Sequence, residues 1–273
     1  MIVAAGCFTR KSDSSRQQRY QCKNCRKCFS NATFELCYWQ KKRAINPEIF
    51  KSLVSGVSQR RLGLLLGVDR KTIVRKFLFL GGIALELFLE QTKQNPPCGE
   101  IEFDDLETFE HSKLKPLSVV MAVESKTRRI LGFRVARMAA KGLIAEKSRK
   151  KYGKRIDERA WKRSSLFKDL QPLVTECAII KSDKNPHYLN TVETYFPKAD
   201  HKQFKGRTGC VVGQGELKSG GFDPLFSLNH SFAMLRANIN RLFRRTWNTT
   251  KKPERLGLHI ALYALFHNNR LLK

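Results

Sequence analysis

Acidic residues are scarce in this chain. Only 24 Asp and Glu stand against 52 Lys and Arg among 273 residues, a net charge of +28 with a sequence pI near 10.1. A surface of that sign repels polycations and attracts polyanions. The basic residues are spread along the chain rather than gathered on one amphipathic helix, which favours nucleic acid over a membrane surface, with binding driven by counterion release. Long apolar runs are missing too: the longest uncharged stretches, Phe77 to Leu85 and Leu256 to Asn269, fall short of the roughly 20 residues that cross a bilayer. No transmembrane helix is expected. At the N-terminus a few apolar residues precede a basic stretch, the reverse of a secretory signal, and this places the chain in a cytosol. Low-complexity architecture is excluded by a composition of 41% hydrophobic and 28% charged residues, ordinary for a globular protein. The length allows one large domain, or a large one with a small appendage.

Eight cysteines (7, 22, 25, 28, 37, 98, 177 and 210) occur without a secretory signal, so metal ligation is a better question than disulfides. Cys22, Cys25 and Cys28 fall in RYQCKNCRKCFS, where a C-x-x-C turn can offer two thiolates to one tetrahedral zinc. A complete site needs four ligands. Either Cys7 joins the three as the fourth, or they are half of a ribbon whose first pair is missing, or the segment binds no metal.

The next segment reads as helices. Pro47 suits the first turn of a helix carrying Ile49, Phe50, Leu53 and Val54 and ending near Gly56. Ser58 caps a second, SQRRLGLLLG, which stops at Gly67, and a third begins at Arg70 after a short turn. This spacing predicts helix-turn-helix geometry, with Arg70, Lys71 and Arg75 placed to meet DNA and Ile73, Val74 and Phe77 packing behind them. QNPPCG then predicts a domain boundary. Beyond it, IEFDDLETFE, PLSVVMAVE and RRILGFRVARM read as three strands. A basic helical region from Lys141 to Leu170 follows, with 11 Lys or Arg against 4 Asp or Glu. The strand CAIIKSD, a helix, a short strand at His201 to Phe204 and a long final helix complete the series. The order is that of the RNase H fold, an α/β mixed sheet with flanking helices.

Two carboxylates fall where that order makes them interesting. Asp104 lies within the first strand, with Glu102 and Leu106 on its side of the pleat, and Asp183 ends the fourth. Adjacent strands would bring them together. Paired carboxylates can hold two Mg²⁺ ions for phosphodiester chemistry, although strand-end aspartates are also common solubilising residues. The loop KGRTGCVVGQGELKSGG contains six of the 17 glycines but lacks the Gly-Lys-Ser/Thr ending of a Walker loop, so nucleotide hydrolysis is not supported.

Taken together, QRYQCKNCRKCFS, SGVSQRRLGLLLGVDRKTI, EFDDLETF, IIKSDKNP and LNHSFAMLRANINRLFRRTW resemble bacterial insertion-sequence transposases of an IS-one-like group, over almost the whole chain. These carry an N-terminal zinc ribbon and helix-turn-helix followed by a DDE catalytic domain. The resemblance implies a partial zinc-ribbon-like segment over 1–40, a helix-turn-helix region over 41–94 and an RNase H-like domain over 95–273. It implies Asp104 as first catalytic carboxylate, Asp105 as an accessory acid and Asp183 as second. At the third position it puts Asn229 where Glu is common; an Asn carbonyl can still ligate Mg²⁺, without charge. Leu228, Phe232, Leu235, Ile239 and Leu242 form an apolar stripe, beside which Asn229, Arg236 and Asn240 form a polar one. Arg236 resembles the basic residue that follows the third ligand. His230, Glu216 and Asp223 are the fallback ligands. Arg244 and Arg245, near Trp247, suit phosphate contact.

The implied activity is cleavage of element ends and strand transfer with Mg²⁺ or Mn²⁺. Double-stranded DNA is the implied partner, a homodimer or higher assembly on DNA the implied state, and a bacterial cytoplasm the implied setting. An inactive remnant or DNA-binding regulator, and a structure-selective nuclease of the same fold, are the alternatives.

Overall fold

The computed structural model describes residues 1–11, 14–38, 40–205, 223–243 and 248–271. It divides into two compact units, Met1–Ile49 and Phe50–Lys273. The first is a three-stranded antiparallel sheet in the order β1 (Ile2–Thr9), β2 (Arg16–Cys22), β3 (Cys28–Ser30). The C-x-x-C segment is its second hairpin turn: Arg26 takes φ +55° and its N–H donates to the Cys22 carbonyl at 2.8 Å, while Cys22 N–H donates to Lys27 at 3.0 Å. Tyr20 stacks on Phe29, which meets Phe34 edge-on.

In the second unit the helix starts expected after Ser58 and at Arg70 are observed. Helix α1 (Asn46–Leu53) spans the division and turns off at Gly56, at φ +80°. Ser58 caps α2 (Gln59–Leu65) by accepting from Arg61 N–H, and Asp69 caps α3 (Arg70–Gln94) by accepting from Lys71 N–H at 2.7 Å. Five strands form one mixed sheet in the order β6-β5-β4-β7-β8: β4 (Cys98–Phe109), β5 (Pro116–Glu124), β6 (Ile130–Arg137), β7 (Val174–Asp183) and β8 (Asp200–Phe204). The first three are antiparallel, as their β-branched runs and tight turns require, and β7 and β8 are parallel to β4 through helical crossovers. The basic region 141–170 is two helices, α4 (Ala145–Tyr152) and α5 (Arg159–Leu170), broken at Gly153 with φ +73°. Helix α6 (Pro186–Tyr195) links β7 to β8, and the closing region is also two helices, α7 (Phe226–Asn238) and α8 (Pro253–Leu271). The apolar stripe on α7 is buried as expected, but the helix stops at Asn238, so Asn240 lies in a following turn rather than on the Asn229 face.

Helices cover both faces of the sheet. On one, Phe103 packs between Phe167 of α5 and Tyr188 of α6, with ring centroids 4.9 and 4.8 Å away. Gly132 there meets α5 so closely that a Cβ would come within 2.6 Å of Leu166. On the other face α3 and α8 pack together, and Phe88 meets Phe133 of β6. This is an α/β architecture compatible with an RNase H-like domain. No helix among the described residues is long and apolar enough to cross a membrane.

The boundary expected at QNPPCG is not where the chain divides. Ile73, Phe77, Gly81, Ala84 and Phe88 recur every three to four residues along α3 and are all buried. Gly81 lets α8 approach until a Cβ would stand 2.8 Å from Leu258. Segment 50–94 therefore belongs with the sheet, and the prolines only end the helix.

Where α8 passes α1, His259 is fully buried and its Nε2 donates to the Leu53 carbonyl at 2.9 Å. Burial holds its pKa down at about 4, against 6.5 when free. A His held neutral favours unfolding once the unfolded chain can take up a proton, so stability should fall as pH drops from 6.5 to 4. His259→Gln keeps a donor without that titration. Urea unfolding at pH 7 and pH 5 should show a smaller acid loss for the variant, by about 1–2 kcal/mol; equal losses would refute the neutral buried imidazole.

Candidate active site

The last rung of the β4–β7 ladder pairs Glu102 with Lys181. Two residues further along each parallel strand, past the last paired rung, stand Asp104 and Asp183, which the alternation of side chains puts on the same face. Their mutual effect is electrostatic. Burial first, then repulsion from Asp183, raises the Asp104 carboxyl to about 7, and Asp183 is raised by its own burial and by Asp105.

Asp105 plays a different part from its neighbour. Ser118 Oγ donates to its Oδ1, the Tyr188 hydroxyl lies 2.9 Å from its Oδ2, and buried Arg163 stands 4.0 Å away. The same hydroxyl lies 2.9 Å from Asp104 Oδ1, so its one proton is shared between the two carboxylates. Arg163 is itself held by Thr191 Oγ1 at 3.0 Å and lies over the Tyr188 ring. Asp105 is thus tied to the α5–α6 layer, and among the described residues both donors to the Asp104 carboxylate fall on Oδ1. Asp183 accepts from Asn185 N–H at 3.0 Å, an arrangement fixed by the turn before Pro186.

Sequence reasoning missed Tyr188 and Arg163, since nothing in a single helical Tyr or Arg announces a partner across the sheet. It also left Glu102 as a mere neighbour in the pleat. Glu102 is buried, raised in pKa chiefly by that burial, and accepts from Leu228 N–H at 2.9 Å and Ser125 Oγ at 3.1 Å. It thereby seats the first turn of α7 on β4. The alternation Glu102, Asp104, Leu106 was the available signal.

The third position lies on α7 beside Leu228, whose N–H meets Glu102. Asn229 is exposed and donates Nδ2 to Asp223 Oδ2 at 2.9 Å, while Asp223 Oδ1 accepts from Leu225 N–H. Asp223 therefore braces the start of α7, and His230 faces Arg128. Arg236 is half-buried two turns along α7. Glu216, Arg244, Arg245 and Trp247 lie outside the described residues, as does most of the glycine-rich loop. Among the described residues no three or more His, Cys, Asp or Glu side chains gather where they could hold a metal ion together.

Cys7, Cys22, Cys25 and Cys28 do not gather either. Cys7 pairs with Gln18 in the sheet, four residues along β2 from Cys22, which puts it about 13 Å away. The register thus removes it as a fourth ligand beside the C-x-x-C turn. Its thiol instead donates to Gln18 Oε1. Hydrogen bonds within that turn, from Cys25 and Asn24, lower the Cys22 thiol's pKa.

Basic residues flank the carboxylates. Lys141, Arg159, Lys184 and Lys205 line an open cleft of about 470 Å³ whose floor includes Asp183 and Asn185. Arg70, Lys71 and Arg75 are exposed at the start of α3, as expected, next to Arg60 and Arg61 on α2.

No protein-family model matches the chain, and no curated protein is significantly similar to it.

Asp104 carries a testable signature. Its folded pKa is raised above the free value of 3.8, so the stability tied to its proton is complete below that value and is lost as pH rises to about 7. Asp104→Asn removes the loss. Thermal unfolding should show the variant several degrees more stable than the parent at pH 8 and much closer to it at pH 4. A constant difference across that range would contradict the buried, repelled carboxylate.

Proposed function

We propose that the second unit is the RNase H-like catalytic domain of a DNA transposase, similar to the insertion-sequence DDE group, which cuts element ends and joins a 3′-hydroxyl to target DNA. The observation that carries this reading is the placing of Asp104 and Asp183 on one face beside a basic cleft. Two partly buried carboxylates repelling each other are a charge arrangement that a divalent cation balances, and hard oxygen donors suit Mg²⁺ or Mn²⁺. Asp104 and Asp183 would hold it. When bound, such an ion polarises the phosphodiester and makes water or a hydroxyl a better nucleophile. The chain's own residues do the rest: Tyr188, Ser118 and Arg163 hold the Asp104–Asp105 pair in orientation. Lys141, Arg159, Lys184 and Lys205 neutralise phosphates along the cleft. Arg70, Lys71 and Arg75 dock the duplex.

The position of Asn229 favours a second reading, a DNA-binding regulator or remnant that does not cut. Its amide nitrogen is engaged with Asp223, and an uncharged Asn supplies no third carboxylate to a metal ion.

Strand transfer of a labelled element end with Mg²⁺ or Mn²⁺ separates the two. Asp183→Asn should lower cleavage at least roughly 100-fold while leaving the gel shift within about twofold, because it removes a metal ligand and no docking residue. Asn229→Glu should retain or raise activity and Asn229→Ala lower it. A parent that shifts the correct end but never cuts it establishes the regulator reading. Replacing Arg70, Lys71 and Arg75 with Ala should flatten the log–log salt dependence of binding by about 0.9 per lost phosphate contact; an unchanged slope would move docking elsewhere.

A further inference from the structure

The β5–β6 hairpin and the neighbouring parts of α7 and α8 bring basic side chains together. Arg128 sits in the hairpin turn at φ +65°, and its Nη1 lies 3.2 Å from His230 Nε2 on α7. His267 of α8 donates Nε2 to the Arg128 carbonyl at 3.0 Å, and Arg270 lies over the Phe266 ring in the last turn. Burial first, and with it the nearby charges of Arg128 and Arg270, hold the His267 pKa down. The turn itself is fixed, for Lys126 N–H donates to Ser227 Oγ at 2.9 Å.

Stability alone does not explain this arrangement. A non-glycine residue at positive φ is strained, and such strain collects at binding sites. Arg128 makes no ion pair among the described residues. The acids closest in the fold are engaged: Glu124 with Arg129 and Thr127, Glu100 with Lys181 and Lys126. A guanidinium can only donate, so His230 Nε2 accepts and the imidazole proton resides on Nδ1, which is buried without a hydrogen-bond partner among the described residues. Two neutral imidazoles thus brace Arg128, one at its guanidinium and one at its carbonyl. Four of its five N–H donors remain for something else.

We propose that Arg128, braced by His230 and His267, and Arg270, three residues after His267 on α8, form a binding site for a phosphate oxyanion, and that its source is the DNA backbone. The planar fork of Arg128 suits two oxygens of one phosphate. The source rests on the DNA-transfer reading above; the anion chemistry does not. Glu124, at the base of the hairpin, pairs with Ile101, three residues before Asp104 on β4. The base of the hairpin therefore stands about 10 Å from the level of Asp104 along the strand, and the Arg128 turn lies beyond it. The site would hold the strand whose phosphodiester lies over Asp104 and Asp183.

Arg128→Gly in the full chain tests this, because glycine relieves the positive φ while removing the fork. In phosphate-free buffer the variant should be at least as stable as the parent. Inorganic pyrophosphate, compared with chloride at equal ionic strength, should raise the thermal midpoint of the parent by a few degrees and leave that of the variant unmoved. In fluorescence anisotropy with a DNA duplex, the variant's log–log salt slope should be shallower by about 0.9. Equal stabilisation of both proteins by pyrophosphate overturns the site, as does a variant less stable than the parent without anion, which would make Arg128 a structural brace. An unchanged slope in a parent that binds DNA overturns the backbone as source. Pyrophosphate stabilisation lost in the variant while the parent binds no DNA at any salt supports the anion site and removes the transfer reading.

Discussion

The pairing of Glu102 with Lys181 decides the rest of the site. Parallel strands keep their side chains in step, so one rung fixes which face the residues beyond it take, and Asp104 and Asp183 share a face because Glu102 and Lys181 do. A shift of one residue would turn one carboxylate to the opposite face. What holds the register is the core beneath it: Ile101 and Phe103 on β4, Ala178 and Ile180 on β7, all buried against α5 and α6. A hydrophobic layer thereby sets an electrostatic distance.

The cost of that proximity is visible in how the surroundings are arranged. Asp105 is given donors from three directions, whereas Asp104 has a share of one hydroxyl and the N–H of its neighbour. Two adjacent acids in one strand have become a fixed member and a titrating member. Glu102, two residues earlier, spends its charge on the N-terminal turn of α7, where helix N–H groups lack partners. Three acids within four residues carry three different tasks, set by which layer each one faces.

Much of this was legible in the sequence and the reasons are local. Pro47, Ser58, Asp69, Gly56 and Gly67 act within one turn of themselves, so the ends of α1, α2 and α3 could be read directly. Alternation and β-branching gave the strands, and their order gave the sheet. What could not be read depends on distant partners. The stripe on α3 announces a buried face without saying that α8 covers it, and so the prolines of QNPPCG looked like a boundary. Tyr188 and Arg163 reach Asp105 across a layer. Cys7 lies close to the other cysteines in the sequence, but the β1–β2 register carries it to the far end of the hairpin. Asn229 matched a motif by position, yet the side chain that meets it is Asp223, six residues earlier.

Helix α3 has a further consequence. Its 25 residues make a rod of about 37 Å, and the contact at Gly81 and Leu258 is too close to allow sliding. Its exposed basic tip and the sheet are then parts of one rigid body. On the proposed reading the separation between docking and cutting is a ruler written in helical turns. Lengthening α3 by one residue would rotate its tip by about 100° around the axis and point Arg70, Lys71 and Arg75 away from their duplex. Only insertions near whole turns, about 5.4 Å each, would preserve their aim.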